Sequence, residues 1–117
     1  MTAKKETVKQ AICEAIDRNA DHIIGLGERI RKHPELGFKE FKTARLAEET
    51  FSELGLKPRS GLAVTGVRAE ASGARPGPTF ALLGELDGLV VAGHPGAGPG
   101  TGAAHACGHN AQMAGLL

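Results

Sequence analysis

A chain of 117 residues, 41% of them hydrophobic, is long enough for one domain with a modest core and no more. Lys and Arg total 14 against 13 Asp and Glu, a formal charge of +1, which gives no electrostatic footing for nucleic acid or an anionic membrane. All four aromatic residues are Phe, so stacking platforms for bases are missing too.

The opening Met1-Thr2-Ala3-Lys4-Lys5-Glu6 has neither an apolar core nor a small-residue cleavage site, and no apolar run in the chain is long enough to span a bilayer. The chain therefore reads as cytoplasmic. Its two cysteines, Cys13 and Cys107, do not form the dense set that marks a secreted disulfide scaffold. A disulfide between them stays open on sequence grounds and would consume the best metal ligand available.

Val8, Ile12, Ile16, Ile23, Leu26 and Ile30 recur at helical spacing among charged residues and predict one amphipathic helix over roughly residues 4 to 32. Pro34 ends it, which leaves His33 as either a ligand or substrate contact or, the commoner case, a polar residue at a helix C-terminus. Phe41, Ala44, Ala47, Phe51 and Leu54 then step by three and four. They predict a second helix that buries its Phe residues and is closed by Gly55 in a left-handed cap. From Leu62 to Ala71 the period shortens to that of one or two strands bent at Gly66. The turn cluster 72–78 leads to Thr79-Phe80-Ala81-Leu82-Leu83-Gly84, whose apolar run suits a strand buried on both faces. The order helix, helix, strands, loop, helix is that of an α/β fold.

Glu85 and Asp87 end that strand, where open α/β sheets carry their chemistry. Spaced i, i+2, they point to opposite sides if the strand continues, so one alone faces a site unless the chain turns; the plainer alternative is a solvated strand end. Residues 92–104 form a Gly/Pro/Ala loop that lacks the Lys-Ser/Thr of a phosphate cradle. His94 within it is either a substrate contact or an exposed histidine without a role. The stretch His105-Ala106-Cys107-Gly108-His109-Asn110 places a thiol and an imidazole two residues apart, with a glycine that permits a tight turn between them. Both are donors for zinc and similar divalent ions, although a lone Cys is also a common small buried hydrophobe.

Three segments in order, Arg31-Lys32-His33-Pro34-Glu35-Leu36-Gly37-Phe38-Lys39-Glu40, Leu82-Leu83-Gly84-Glu85-Leu86-Asp87-Gly88-Leu89 and the His105–Asn110 stretch, resemble the N-terminal part of metal-dependent amidohydrolases. These are the aminoacylase-like peptidases that include hippurate hydrolase, the indole-acetyl-amino-acid hydrolases and aminobenzoyl-glutamate hydrolase. The resemblance implies the first part of a mixed-sheet, zinc-peptidase-like catalytic domain, with two helices followed by strands and a metal-site loop. It implies that Cys107 and His109 bind a divalent metal, Zn or Mn, with one or two ions in a full-length protein. Asp87 takes the catalytic supporting position, and Glu85, His94, His105, Asn110 and Gln112 stand as substrate or outer contacts. The implied reaction is hydrolysis of the amide bond of an N-acyl amino acid by a homodimer. Many relatives continue the motif as C-G-H-D-x-H, and Asn110 and Gln112 replace the Asp and second His here. That variant and the Gly-Glu-Leu-Asp segment look most like the aminobenzoyl-glutamate hydrolase branch.

The same resemblance implies that the catalytic glutamate, the remaining ligands and a lid domain lie outside these residues. In keeping with this, Met113, Ala114, Leu116 and Leu117 begin an apolar helical pattern with no cap and no burying partner evident in the sequence. The rival reading from another class is a short non-catalytic protein that uses Cys107 and His109 for a structural metal or a partner.

Overall fold

The computed structural model describes residues 2–117, with side chains from residue 4 onward. Four helices and four short strands follow in the order α1 (Thr2–Arg18), α2 (Ala20–Lys32), α3 (Phe41–Glu53), β1 (Arg59–Leu62), β2 (Gly66–Arg68), β3 (Leu89–Val90), β4 (Ala103–Ala104) and α4 (His109–Leu116). The architecture is α/β, as the periodicity predicts.

The single long helix expected at the N-terminus is instead two. Asn19 interrupts it: its amide Nδ2 donates to the Ala15 carbonyl at 2.8 Å and its backbone N–H to Ile16 at 3.0 Å, which closes α1. Asparagine competes for backbone partners in this way and so weakens helix continuity. α1 then projects from the body, and Val8, Ile12 and Ile16 are exposed rather than buried. His33 ends α2, its N–H donating to Ile30 at 3.0 Å.

The core lies where α2, α3 and α4 meet, with Leu26, Ile30, Leu46, Ala47, Met113 and Ala114 buried together and Ile23, Leu86 and Leu117 packed against them. Gly27 permits the closest approach, since a Cβ placed there would lie 3.3 Å from that of Ala114. Met113 and Ala114 therefore do have a burying partner, contrary to the expectation from the sequence, and it is α2. That partner lies more than 80 residues upstream, beyond the reach of local pattern.

In α3 the buried face is Thr43, Ala44, Leu46, Ala47 and Thr50, while Phe41 and Leu54 are exposed, so the expected burial of Phe41 fails. Thr50 stays buried because its hydroxyl donates to the Leu46 carbonyl at 2.8 Å. The helix starts on an acid supplied from seven and eight residues away. The Glu35 carboxylate accepts the N–H groups of Lys42 at 3.0 Å and Thr43 at 2.9 Å, satisfying donors that a helix start leaves open. It ends as predicted, with Gly55 at φ +77° and the Leu56 N–H returning to Phe51 at 3.0 Å.

β1 and β2 form an antiparallel hairpin that pairs Arg59 with Arg68 and Leu62 with Gly66. The reversal falls at Ala63 and Val64, both at positive φ, and not at Gly66. Gly66 serves the pairing instead, because a Cβ there would meet the Leu62 carbonyl oxygen at 2.5 Å. The buried Glu40 anchors this hairpin to α3 by accepting the Thr65 hydroxyl at 2.7 Å. β3 and β4 pair antiparallel across the loop 91–102, and one parallel bridge joins Leu36 to Gly88.

The predicted buried strand 79–84 is not a strand here, and the expected mixed sheet does not form among the described residues. Phe80, Leu82 and Leu83 are 85%, 84% and 86% exposed. A strand satisfies its backbone groups only through a neighbouring ladder, and the described residues offer this segment none. Among the described residues no helix is long and apolar enough to cross a membrane.

If the α2–α4 contact is the core, Ile30→Ala is expected to lower the unfolding free energy by about 2–5 kcal/mol. Leu82→Ala is expected to stay within about 0.5 kcal/mol. Urea denaturation of both variants measures this, and equal losses would refute the assignment.

Candidate functional site

Gly84 and Gly108 bring the site together from its two sides. A Cβ on Gly84 would lie 2.6 Å from Met113 Sδ and 3.1 Å from Leu116 Cδ1, so the glycine lets this segment run against α4 without moving those side-chain ends. Gly108, at φ +92°, turns the chain into α4 and makes His109 its first residue. The acidic segment 85–87 and the start of α4 thus face each other.

Their side chains close on one ring. His109 Nδ1 lies 2.9 Å from the Asp87 carbonyl oxygen and 3.1 Å from its Oδ1, and Nε2 lies 3.1 Å from Glu85 Oε2. Both carboxylates therefore reach the ring, which the i, i+2 spacing allows because the chain does not continue as a strand here: they approach opposite nitrogens of one imidazole. A neutral imidazole carries a single ring hydrogen. Donor and acceptor roles at this ring follow its hydrogens: a neutral ring donates to one carboxylate and a doubly hydrogenated ring to both.

Gln112 and Asn110 fix this geometry. The Glu85 N–H donates to Gln112 Oε1 at 2.7 Å, and Gln112 Nε2 donates to Glu85 Oε2 at 3.4 Å. Asn110 Nδ2 donates to the Gly27 carbonyl at 3.4 Å, joining the site to α2. These contacts give the two uncharged residues a positioning part. Behind the acidic segment, the Gly88 N–H donates to the Glu35 carbonyl at 2.7 Å, so the turn after α2 supports it as well. Sequence reasoning passed over Gly84 and Glu35; the glycine directly before Glu85 was the available signal for the first.

His105 is half-buried, and both ring nitrogens are shielded from solvent without a hydrogen-bond partner. Burial holds its imidazole below the ordinary histidine value, the nearby His109 acts in the same direction, and Asp87 and Glu35 oppose them. An unpartnered polar ring beside this cluster marks a place for a further polar group. Cys107 is exposed, two residues from His109, and both it and Cys13 are free thiols. His94 is not brought to the cluster. It is half-buried, its Nδ1 accepts the Gly96 N–H at 3.0 Å, and it shapes its own loop.

An imidazole, two carboxylates and, two residues away in sequence, a thiol stand at a segment end and a helix start of an α/β chain, a set of donor types suited to a divalent ion. Its sequence is 32% identical over 114 residues to the putative amidohydrolase YhaA of Bacillus subtilis (strain 168), covering 95% of this chain and 29% of that protein. It is 36% identical over 101 residues to thermostable carboxypeptidase 1 of Saccharolobus solfataricus, covering 83% of this chain and 26% of that protein. It is 32% identical over 112 residues to an N-acyl-L-amino acid amidohydrolase of Geobacillus stearothermophilus, covering 93% and 30%. The chain belongs to this amidohydrolase family, as an N-terminal segment of it. It spans about three-tenths of the length of these curated relatives. No family model and no solved structure matches the chain.

The low His105 value has a consequence for the metal-free chain. Between its folded value and the unfolded value of about 6.5, the unfolded chain binds a proton that the folded chain does not. Stability from this residue is therefore whole at neutral pH and lost as pH falls below about 6.5. His105→Gln is expected to flatten the fall in unfolding free energy between about pH 7.5 and 5.5. Urea titrations at the two pH values check it, and an unchanged slope counts against the assignment.

Proposed function

We propose that this chain supplies part of the active site of an enzyme that hydrolyses the amide bond of N-acyl amino acids, with Cys107 and His109 as ligands of a divalent metal. The observation that carries the reading is the His109 ring at the start of α4, which has a carboxylate at each nitrogen and Cys107 two residues before it in the chain. His109 would hold a divalent metal through its ring, with Asp87 fixing the ring orientation through Nδ1, as outer carboxylates do for metal-binding histidines. The amidohydrolase relatives support the same reaction class.

The residues fit a metal in donor type but not in number. Among the described residues no group of three or more His, Cys, Asp and Glu side chains can hold an ion, so this chain offers two ligands of a site completed from outside it. Zinc and manganese are the ions proposed, one or two per site. A bound ion of this kind polarises the substrate carbonyl and lowers the pKa of a water molecule toward about 7.

The chain's own residues have narrower tasks. His109 and Cys107 hold, Asp87 orients, and Gln112 keeps Glu85 against the ring. In the reaction a water oxygen adds to the amide carbon, the C–N bond breaks, and the amino group of the amino acid leaves with a proton. A carboxylate is the proton carrier such a step requires. The 117 residues alone are expected to be inactive, since they carry two of the proposed ligands and, among the described residues, no group of three or more donors that could hold an ion. A homodimer is proposed for the longer protein.

In a protein of the relatives' length, Cys107→Ser and His109→Ala are each expected to cut kcat/KM on N-acetyl amino acids by more than about 100-fold, because changes to outer contacts alone cost roughly 10- to 100-fold. Metal content measured by atomic absorption should fall in parallel. Full activity with full metal in either variant would overturn the ligand assignment, and turnover by the 117-residue chain that Cys107→Ser abolishes would overturn its inactivity.

A further inference from the structure

The formal charge of the chain is only +1, and four of its 14 Lys and Arg line two adjoining recesses. A recess of about 400 Å³ lies between the turn after α2 and the loop 98–101, with Lys32, His33, Lys39, Lys42 and Thr101 among its walls. A smaller one of about 200 Å³ adjoins it through His33 and Lys42 and adds Arg29. None of Arg29, Lys32, Lys39 and Lys42 is in an ion pair among the described residues. Glu35 is the one acidic residue in either wall, and its carboxylate is already taken by the α3 N–H groups and the Thr43 hydroxyl.

The backbone bears a cost to build this wall. Phe38 sits at φ +59°, a conformation that L-residues avoid, and its side chain gains no burial there, being exposed. The tight turn it makes, closed by the Lys39 N–H on Leu36 at 2.9 Å, sets Lys39 opposite Pro99 and Thr101. Unpaired cations gathered around a concave space repel one another and favour an anion among them.

We propose that this recess binds a small phosphorylated compound. Lysine ammonium groups are compact point charges that suit a phosphate of high charge density, whereas a planar carboxylate is matched by the fork of arginine. The volume exceeds that of a single phosphate and leaves room for the group that carries it. No residue of the Cys107–His109 cluster lines the recess, so the proposal stands apart from the reaction assigned above.

Calorimetric titration of the chain with pyrophosphate at low ionic strength tests it, with helix content checked by circular dichroism. One-to-one binding is expected, weakened roughly ten-fold or more in Lys39→Gln/Lys42→Gln and unchanged in Lys9→Gln, whose lysine lies on α1 beside Glu6. Pyrophosphate should also raise the melting temperature of the unaltered chain and not that of the double variant. No saturable heat, no rise in melting temperature, or equal weakening in Lys9→Gln would overturn the site. Citrate binding as tightly as pyrophosphate would overturn the phosphate class.

Discussion

The close packing of α2 on α4 is the contact on which the other arrangements rest. Gly27 removes a side chain from the crossing, Ala114 fills the space left, and Leu26, Ile30 and Met113 close the core around them. A core this small has little to spare, because a chain of this size buries only a moderate part of its apolar surface. The crossing also decides the chemistry. α4 begins at His109, so fixing α4 against α2 fixes the imidazole, and Asn110 ties the same turn to the Gly27 carbonyl.

Around that crossing the polar groups are arranged in relay. Glu35 uses its carboxylate to start α3 and its carbonyl to hold the Gly88 N–H, so one residue links a helix origin to the end of the acidic segment. Gln112 then holds that segment to α4. Asn110 and Gln112 are uncharged, and their hydrogen bonds to the Gly27 carbonyl and to Glu85 build the framework.

Much of this was legible in the sequence, for reasons particular to each element. α2, the existence of α3 and its end at Gly55 follow from apolar spacing and a residue that tolerates positive φ, which are local properties. His109 and its carboxylates were legible because separate short motifs agreed in order. The break at Asn19 was missed because one asparagine barely disturbs an apolar period. The hairpin reversal at Ala63 and Val64 was missed because neither residue type favours positive φ, and the glycine beside them drew the turn to itself. The segment 79–84 has a strand's composition but not its structure, since strand formation depends on a neighbour that composition does not report. The roles of Gln112 and Glu35 were hidden because both act across distances in sequence that no spacing rule covers.

The separation of α2 from α4 also orders the events of synthesis. Asn110 and Gly27, which touch, are 83 positions apart, so α2 leaves the ribosome long before its partner exists. During that interval Leu26 and Ile30 face water, with α3 as their first available cover. Long-range closure of this sort is slow relative to local helix formation, because the intervening chain must surrender its freedom before the contact rewards it. The nascent chain therefore passes through a stage with helices but no finished core, when its apolar residues are open to a chaperone or to a neighbouring nascent chain.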